Sequence, residues 1–185
     1  MQTVLLLALS FFVQAPAQQD FKPTTGQSGK DAVWVPTSAA LVEKMLDVAK
    51  VTADDYVIDL GSGDGRMVIA AAKRGARALG VEYNPEMVKL SRKLALDAGV
   101  SDRATFVEGD MFEADISKAT VLALFLLPEN LTRLEPKFRA LRPGTRIVVN
   151  TLGIPGWKPD VTEEITENCF NWCVAMLYRI PPPAK

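Results

Sequence analysis

Histidine is absent from all 185 residues, which removes the commonest general base, the commonest zinc ligand and every Ser-His or Cys-His nucleophile pair. Only two cysteines occur, Cys169 and Cys173, too few for a structural zinc site. No metal is expected. An excess of positive charge is missing too: 21 Lys and Arg stand against 22 Asp and Glu, a net charge of -1. That balance supplies no long-range field to draw in nucleic acid or an anionic membrane, so nucleic acid is a disfavoured partner. A Walker A loop is also lacking, which leaves nucleoside triphosphate chemistry without a motif.

What is present at the N-terminus is a short apolar run, Val4 to Val13, followed by Ala15-Pro16-Ala17. Small residues flanking one position match a signal-peptidase site, so residues 1–17 read as a signal peptide, although no Lys or Arg precedes the run. An uncleaved amphiphilic leader is the alternative. The run is shorter than the roughly 20 apolar residues of a membrane anchor. Residues 18–32 hold Pro, Thr, Gly, Ser and Gln without an apolar period and read as a polar linker that packs little. Residues 33–185 are expected to form one domain, since a single α/β core needs most of that length. In an exported chain the two cysteines allow one disulfide; two inert, half-buried thiols are the other reading.

Hydrophobic periodicity supplies the elements. Thr37 is suited to cap a helix through Leu41, Met45, Leu46 and Val48. Tyr56–Leu60 reads as a strand ending in glycines, with an alanine-rich helix from Met67 to Arg74 behind it. Ala78–Glu82 is a second strand, and a helix from Pro85 to Ala98 has Pro at its start and Gly99 after its end. Ala104–Glu108, Val121–Leu127 and Arg146–Asn150 are three further strands, with a helix from about Leu131 to Leu141 before the last. Strands that alternate with helices predict a mostly parallel sheet, because parallel neighbours cannot be joined by a tight hairpin. Val161 to Ile180 instead reads as two strands joined near Asn171, an antiparallel pair at one sheet edge.

The segment that carries chemistry is Asp59-Leu60-Gly61-Ser62-Gly63-Asp64-Gly65-Arg66. Three glycines directly after a buried strand let the backbone turn tightly and approach a ligand closely, and the helix that follows offers free N–H groups. A dinucleotide fingerprint would place its third glycine at position 66, but here it is Gly65, one residue early. Glu82 ends the second strand 21 residues after Gly61, close to the spacing of about 20 at which an acid meets a ribose diol. A plain strand-to-helix turn would not require that acid.

Together these residues resemble motif I of class I S-adenosylmethionine-dependent methyltransferases. Glu82 looks like their ribose ligand, and Gly109-Asp110-Met111-Phe112 like their adenine-proximal acidic turn. Trp34-Val35-Pro36-Thr37 and Leu126-Leu127-Pro128 are similar to elements of small protein-lysine methyltransferases related to the mitochondrial enzymes that modify an ATP synthase subunit. The resemblance implies a Rossmann-like, doubly wound α/β fold: a mostly parallel seven-stranded sheet with an antiparallel C-terminal strand pair. It also implies S-adenosyl-L-methionine as cofactor, with Asp59, Gly61, Ser62, Gly63 and Gly65 holding the methionine moiety, Glu82 the ribose, and Tyr83, Asp110 and Met111 near adenine. Leu126, Leu127 and Pro128 would then form the loop that positions the acceptor; their plainer reading is a strand end and a helix start.

The activity implied is methyl transfer to a nitrogen, a protein lysine foremost. A small-molecule O- or N-methyltransferase is the alternative, and a cofactor-binding protein without turnover is the alternative of another class. Trp34 either closes over the cofactor or staples the first helix from within the core, the simpler of the two readings. Trp157 and Trp172 are candidates for an acceptor groove, with simple packing as the plainer role. Export by a cleaved leader would part the enzyme from a cofactor made in the cytosol, so a cytoplasmic or membrane-associated protein stands as the alternative location.

Overall fold

A computed structural model describes residues 21–182; the signal-peptide expectation for residues 1–17 falls outside that range. The chain folds as α1 (Ala39–Val48), β1 (Tyr56–Leu60), α2 (Arg66–Lys73), β2 (Arg77–Glu82), α3 (Pro85–Asp97), β3 (Ala104–Glu108), β4 (Val121–Leu124), α4 (Pro128–Arg139), β5 (Arg146–Asn150), β6 (Val161–Glu164) and β7 (Val174–Arg179). One seven-stranded sheet runs in the order β3-β2-β1-β4-β5-β7-β6. The first five strands in that order are mutually parallel, whereas β7 is antiparallel to both β5 and β6. This is the doubly wound architecture expected, with the reversed strand wedged one place in from the edge.

Alternation along the strands sends successive side chains to opposite faces. Val57, Val121, Ala123 and Val148 meet Leu41, Met45, Leu46, Val68 and Val88 of the α1–α3 layer. Ile58, Leu60, Leu122, Leu124 and Ile147 meet Leu131, Leu134 and Phe138 of α4 on the other side. The central strands β1, β4 and β5 are therefore apolar on both faces, the composition that a covered parallel sheet demands, whereas the edge strands β3 and β6 are partly exposed.

Three boundaries differ from expectation for local reasons. Ser38, not Thr37, caps α1, its hydroxyl accepting the Leu41 N–H at 3.2 Å. The strand expected to reach Leu127 stops at Leu124, and α4 begins at Pro128 rather than near Leu131. Proline has no N–H to lose at a helix start, and it holds Leu127 in extended backbone (φ -66°, ψ 150°). Phe125, Leu126 and Leu127 are thereby taken out of the sheet and across its carboxyl end.

Residues 24–32, part of the stretch 18–32 expected to pack little, are folded together with Val33 and Trp34. Gly26 N–H donates to Trp34 O at 2.8 Å, Trp34 N–H to Gln27 O at 2.9 Å, and Gly29 N–H to Ala32 O at 3.0 Å. The result is a small flap over the sheet's carboxyl end. Its polar composition hid it, because backbone bonds rather than apolar side chains hold it together.

Candidate functional site

The flap, the glycine loop after β1, the end of β2, the β3 turn and the Phe125–Leu127 segment enclose a cavity of about 270 Å³. It lies where open α/β sheets bind ligands, beyond the carboxyl ends of the strands. Of the residues expected to bind cofactor, Asp59, Gly61, Ser62, Gly63, Glu82, Tyr83, Asp110 and Met111 line it. Gly65 does not: it takes a left-handed φ of 80° as the N-terminal cap of α2, and a Cβ there would lie 2.5 Å from the Phe106 ring. Its role is to let that helix start against β3. Leu126 and Leu127 line the cavity, while Pro128 stands outside it as the first residue of α4.

The polar groups are arranged for a cation. Gly61 and Ser62 both donate their N–H groups to Val81 O, at 2.8 and 3.1 Å, and Gly65 donates to Ser62 O at 2.9 Å. Gly63 N–H donates to Glu82 Oε2 at 2.9 Å. These four donors are thus taken up within the protein, whereas a pyrophosphate would need them free. Three carboxylates remain close together at the loop: Asp59, Asp64 and Glu82. Burial, then the nearby charges of Glu82 and Asp64, push the Asp59 carboxyl up to about 8. A ligand bearing positive charge relieves that repulsion, and S-adenosylmethionine carries both an ammonium and a sulfonium.

Glu82 fits a ribose diol. Its Oε1 accepts Asn84 N–H and its Oε2 accepts Gly63 N–H, each at 2.9 Å, which leaves one lone pair on each oxygen for a hydroxyl. Asp110 is less open than expected. Its Oδ1 accepts Phe112 N–H at 2.8 Å, and its Oδ2 is held by Lys30 of the flap, whose hydrogen bond keeps the carboxyl below its usual range. The Lys30 ammonium also lies 4.9 Å from the centre of the Tyr83 ring, so flap and adenine side share one polar contact.

Sequence reasoning underrated several residues here. Trp34 is not in the core; its indole lies over Gly63, where a Cβ would approach Nε1 to 2.5 Å. That is the position the lid reading expects, at the cavity wall, and not the core position of the staple. Arg66 forks onto Asp64 (2.6–3.2 Å) and donates to Thr37 O at 2.7 Å, joining the glycine loop to the segment before α1. Trp172 and Phe125 both line the cavity, with ring centroids 5.9 Å apart. Trp157 is elsewhere, edge-on to Tyr178 and donating to Glu135 at 2.9 Å. Apart from the Arg66–Asp64 fork, these contacts join segments far apart in sequence, and no local pattern announces them.

The family model for the ANTKMT methyltransferase domain matches residues 59–161, from the glycine loop to the start of β6. The chain belongs to the ANTKMT methyltransferase family. A second model, histone methylation protein DOT1, matches residues 17–99. The chain is similar to a protein-lysine N-methyltransferase of Saccharolobus islandicus, 42% identical over 76% of this chain and 89% of that one. It is similar also to the human lysine N-methyltransferase of the ATP synthase c-subunit, 34% identical over 80% of this chain and 69% of that one. Among solved structures, a Salinibacter ruber RNA methyltransferase in complex with S-adenosyl-L-homocysteine superposes with a TM-score of 0.76. It is 42% identical and covers 82% of this chain and 97% of its own. This ANTKMT-family domain is an S-adenosylmethionine-dependent methyltransferase.

Proposed function

We propose that the chain methylates the side-chain nitrogen of a protein lysine. The observation that carries the reading is the charge at the cavity end of the β6–β7 hairpin. From Val161 to Tyr178 there are three carboxylates, Glu163, Glu164 and Glu167, and no Lys or Arg; Glu163 pairs with Lys44 of α1 at 2.9 Å, so the net negative charge comes from Glu164 and Glu167. Because β7 is reversed, β6 runs parallel to β5, and the end of β6 with Glu164 and the connection that holds Glu167 lie beside the carboxyl ends of the parallel strands. An acidic border attracts a lysine-bearing segment and repels phosphate, whose binding depends on Lys and Arg. The names of the Saccharolobus and human relatives support a lysine acceptor; the name of the Salinibacter relative is the reason to test RNA beside it.

The bound cofactor supplies an electrophilic methyl on sulfur, and the protein's task is placement. Aligning an amine with that methyl and excluding water is worth about 7–11 kcal/mol of barrier. Leu126 and Leu127 wall the cavity, and an apolar wall disfavours an ammonium, easing the proton loss that makes lysine a nucleophile. No histidine is required for that.

The Cys169–Cys173 disulfide suits an oxidising compartment and supports export as the location we propose. A fusion of residues 1–32 to a reporter tests it; a reporter retained in the cytosol refutes it.

The acceptor is tested by incubating the purified chain with methyl-labelled S-adenosylmethionine and, separately, a lysine-rich protein, a mixed RNA and a panel of small amines. Label recovered as methyllysine is expected. Label on RNA, or on small amines alone, refutes the reading.

A further inference from the structure

The loop between β6 and β7 reaches the cavity in an unusual way. Cys169 and Cys173 are bonded to one another, closing a five-residue ring that contains Phe170, Asn171 and Trp172. Trp172 sits at a left-handed φ of 60°, a conformation that non-glycine residues seldom take unless their surroundings impose it. At the loop's base, Thr151 N–H donates to Val174 O at 2.7 Å, and Val174 N–H donates to the Thr151 hydroxyl at 3.0 Å. The bridge and these bonds fix where the indole goes. It lies 44% exposed at the cavity mouth, tilted 54° to Phe125.

Phe125 links this mouth to the cofactor side. The next residue, Leu126, lies 3.4 Å from where a Cβ on Gly61 would stand, so the chain passes from the mouth to the glycine loop within one residue of Phe125.

We propose that Trp172, fixed by the Cys169–Cys173 bridge, and Phe125 form the wall along which the acceptor lysine enters. The idea rests on the lysine reading above and assigns its selectivity to this loop. A lysine has a four-carbon apolar stem and a cationic head, and an aromatic face accepts both, the first by contact and the second by cation–π attraction. The order of residues makes a gradient. The Trp172 and Phe125 rings favour the ammonium, and the apolar Leu126 and Leu127 beside them disfavour it, so the proton is lost to solvent before the amine meets the methyl.

The test uses the full chain saturated with S-adenosylhomocysteine, and calorimetry with pentalysine as the probe. Trp172→Ala is expected to weaken pentalysine binding at least tenfold while leaving S-adenosylhomocysteine affinity within threefold. Trp172→Phe should restore most of the loss. Reducing the bridge should weaken pentalysine binding in the parent chain and change nothing further in Trp172→Ala. Equal affinities for the parent and Trp172→Ala overturn the proposal, as do absent binding by the parent and a loss that only follows cofactor affinity. Methyl transfer to pentalysine separates the two ideas. A parent chain and a Trp172→Ala variant that transfer equally well keep the lysine reading and sink the aromatic wall; transfer to RNA alone sinks the lysine reading.

Discussion

Glu82 Oε2 accepts the backbone N–H of Gly63 at 2.9 Å, so the acid at the end of β2 both shapes the glycine loop and keeps lone pairs for the cofactor's ribose. Charged hydrogen bonds of this kind contribute about 1.5–3 kcal/mol each. Glu82→Ala should weaken S-adenosylmethionine binding by roughly 100-fold or more. Glu82→Gln, which retains an acceptor for Gly63, should cost about tenfold. Calorimetric titration of both variants reads the difference, and equal losses would show that the loop contact contributes nothing beyond the charge.

Asp59 makes cofactor binding a proton-linked event. With its carboxyl pushed up to about 8, Asp59 is protonated at pH 7 and ionises when a cation arrives beside it. Titrations at pH 7 in buffers of different ionisation enthalpy should show release of nearly one proton, and Asp59→Asn should abolish it. The same group affects stability. Between the unfolded value of about 4 and the folded value the native state binds more protons, so stability falls as pH rises through that window. Urea midpoints of the ligand-free protein should decline from pH 5 to 8, and less steeply in Asp59→Asn.

Gly65 and Gly99 separate two costs of a side chain in left-handed backbone. Gly65 (φ 80°) would bring a Cβ to 2.5 Å from Phe106 and 2.7 Å from Ser91, while Gly99 (φ 70°) has nothing within 4 Å. Gly99→Ala should lose about 1–2 kcal/mol. Gly65→Ala should lose that and a further 1–3 kcal/mol or so from overpacking. Equilibrium urea unfolding of the two variants measures the gap.

Asp55 anchors the opposite end of the sheet. Its carboxylate accepts Thr52 N–H at 2.8 Å and the Thr120 hydroxyl at 2.7 Å, and it pairs with Arg146. Burial opposes its charge, but these partners hold the carboxyl below its usual value. Asp55→Ala removes the carboxylate from Arg146, which keeps only the Ala49 and Lys50 carbonyls, and should destabilise by about 2–4 kcal/mol. Cofactor affinity in the folded variant should be unchanged. The contribution of Asp55 is present above the unfolded carboxylate range and lost as pH falls toward the folded value, which acid titration of parent and variant would reveal.

The elements legible in the sequence were those fixed locally. β1, β3 and β5 have the bounds their apolar runs indicate, and Gly61, Gly63 and Glu82 meet because a parallel β1–β2 pair brings Leu60 beside Val81. Thr37 and Ser38 are both good caps, and adjacent positions cannot be ranked without the turn itself. Trp34 on Gly63, Lys30 on Asp110 and Trp172 against Phe125 were not legible as contacts. Each joins residues 29 or more apart, and none of these pairs shares a spacing rule that a linear reading detects.

The single reversed strand decides which end of the sheet the last loop serves. Had β7 run parallel to its neighbours, its leading connection would have opened at the far end of the sheet, away from the methyl donor. Reversed, it delivers a hairpin tip to the mouth from an edge that bears no cofactor ligand. The tip can lengthen, shorten or exchange its residues while the glycine loop and Glu82 stay as they are. One inverted strand thus puts the glycine loop with Glu82 and the hairpin tip with Trp172 on separate segments that meet at one cavity.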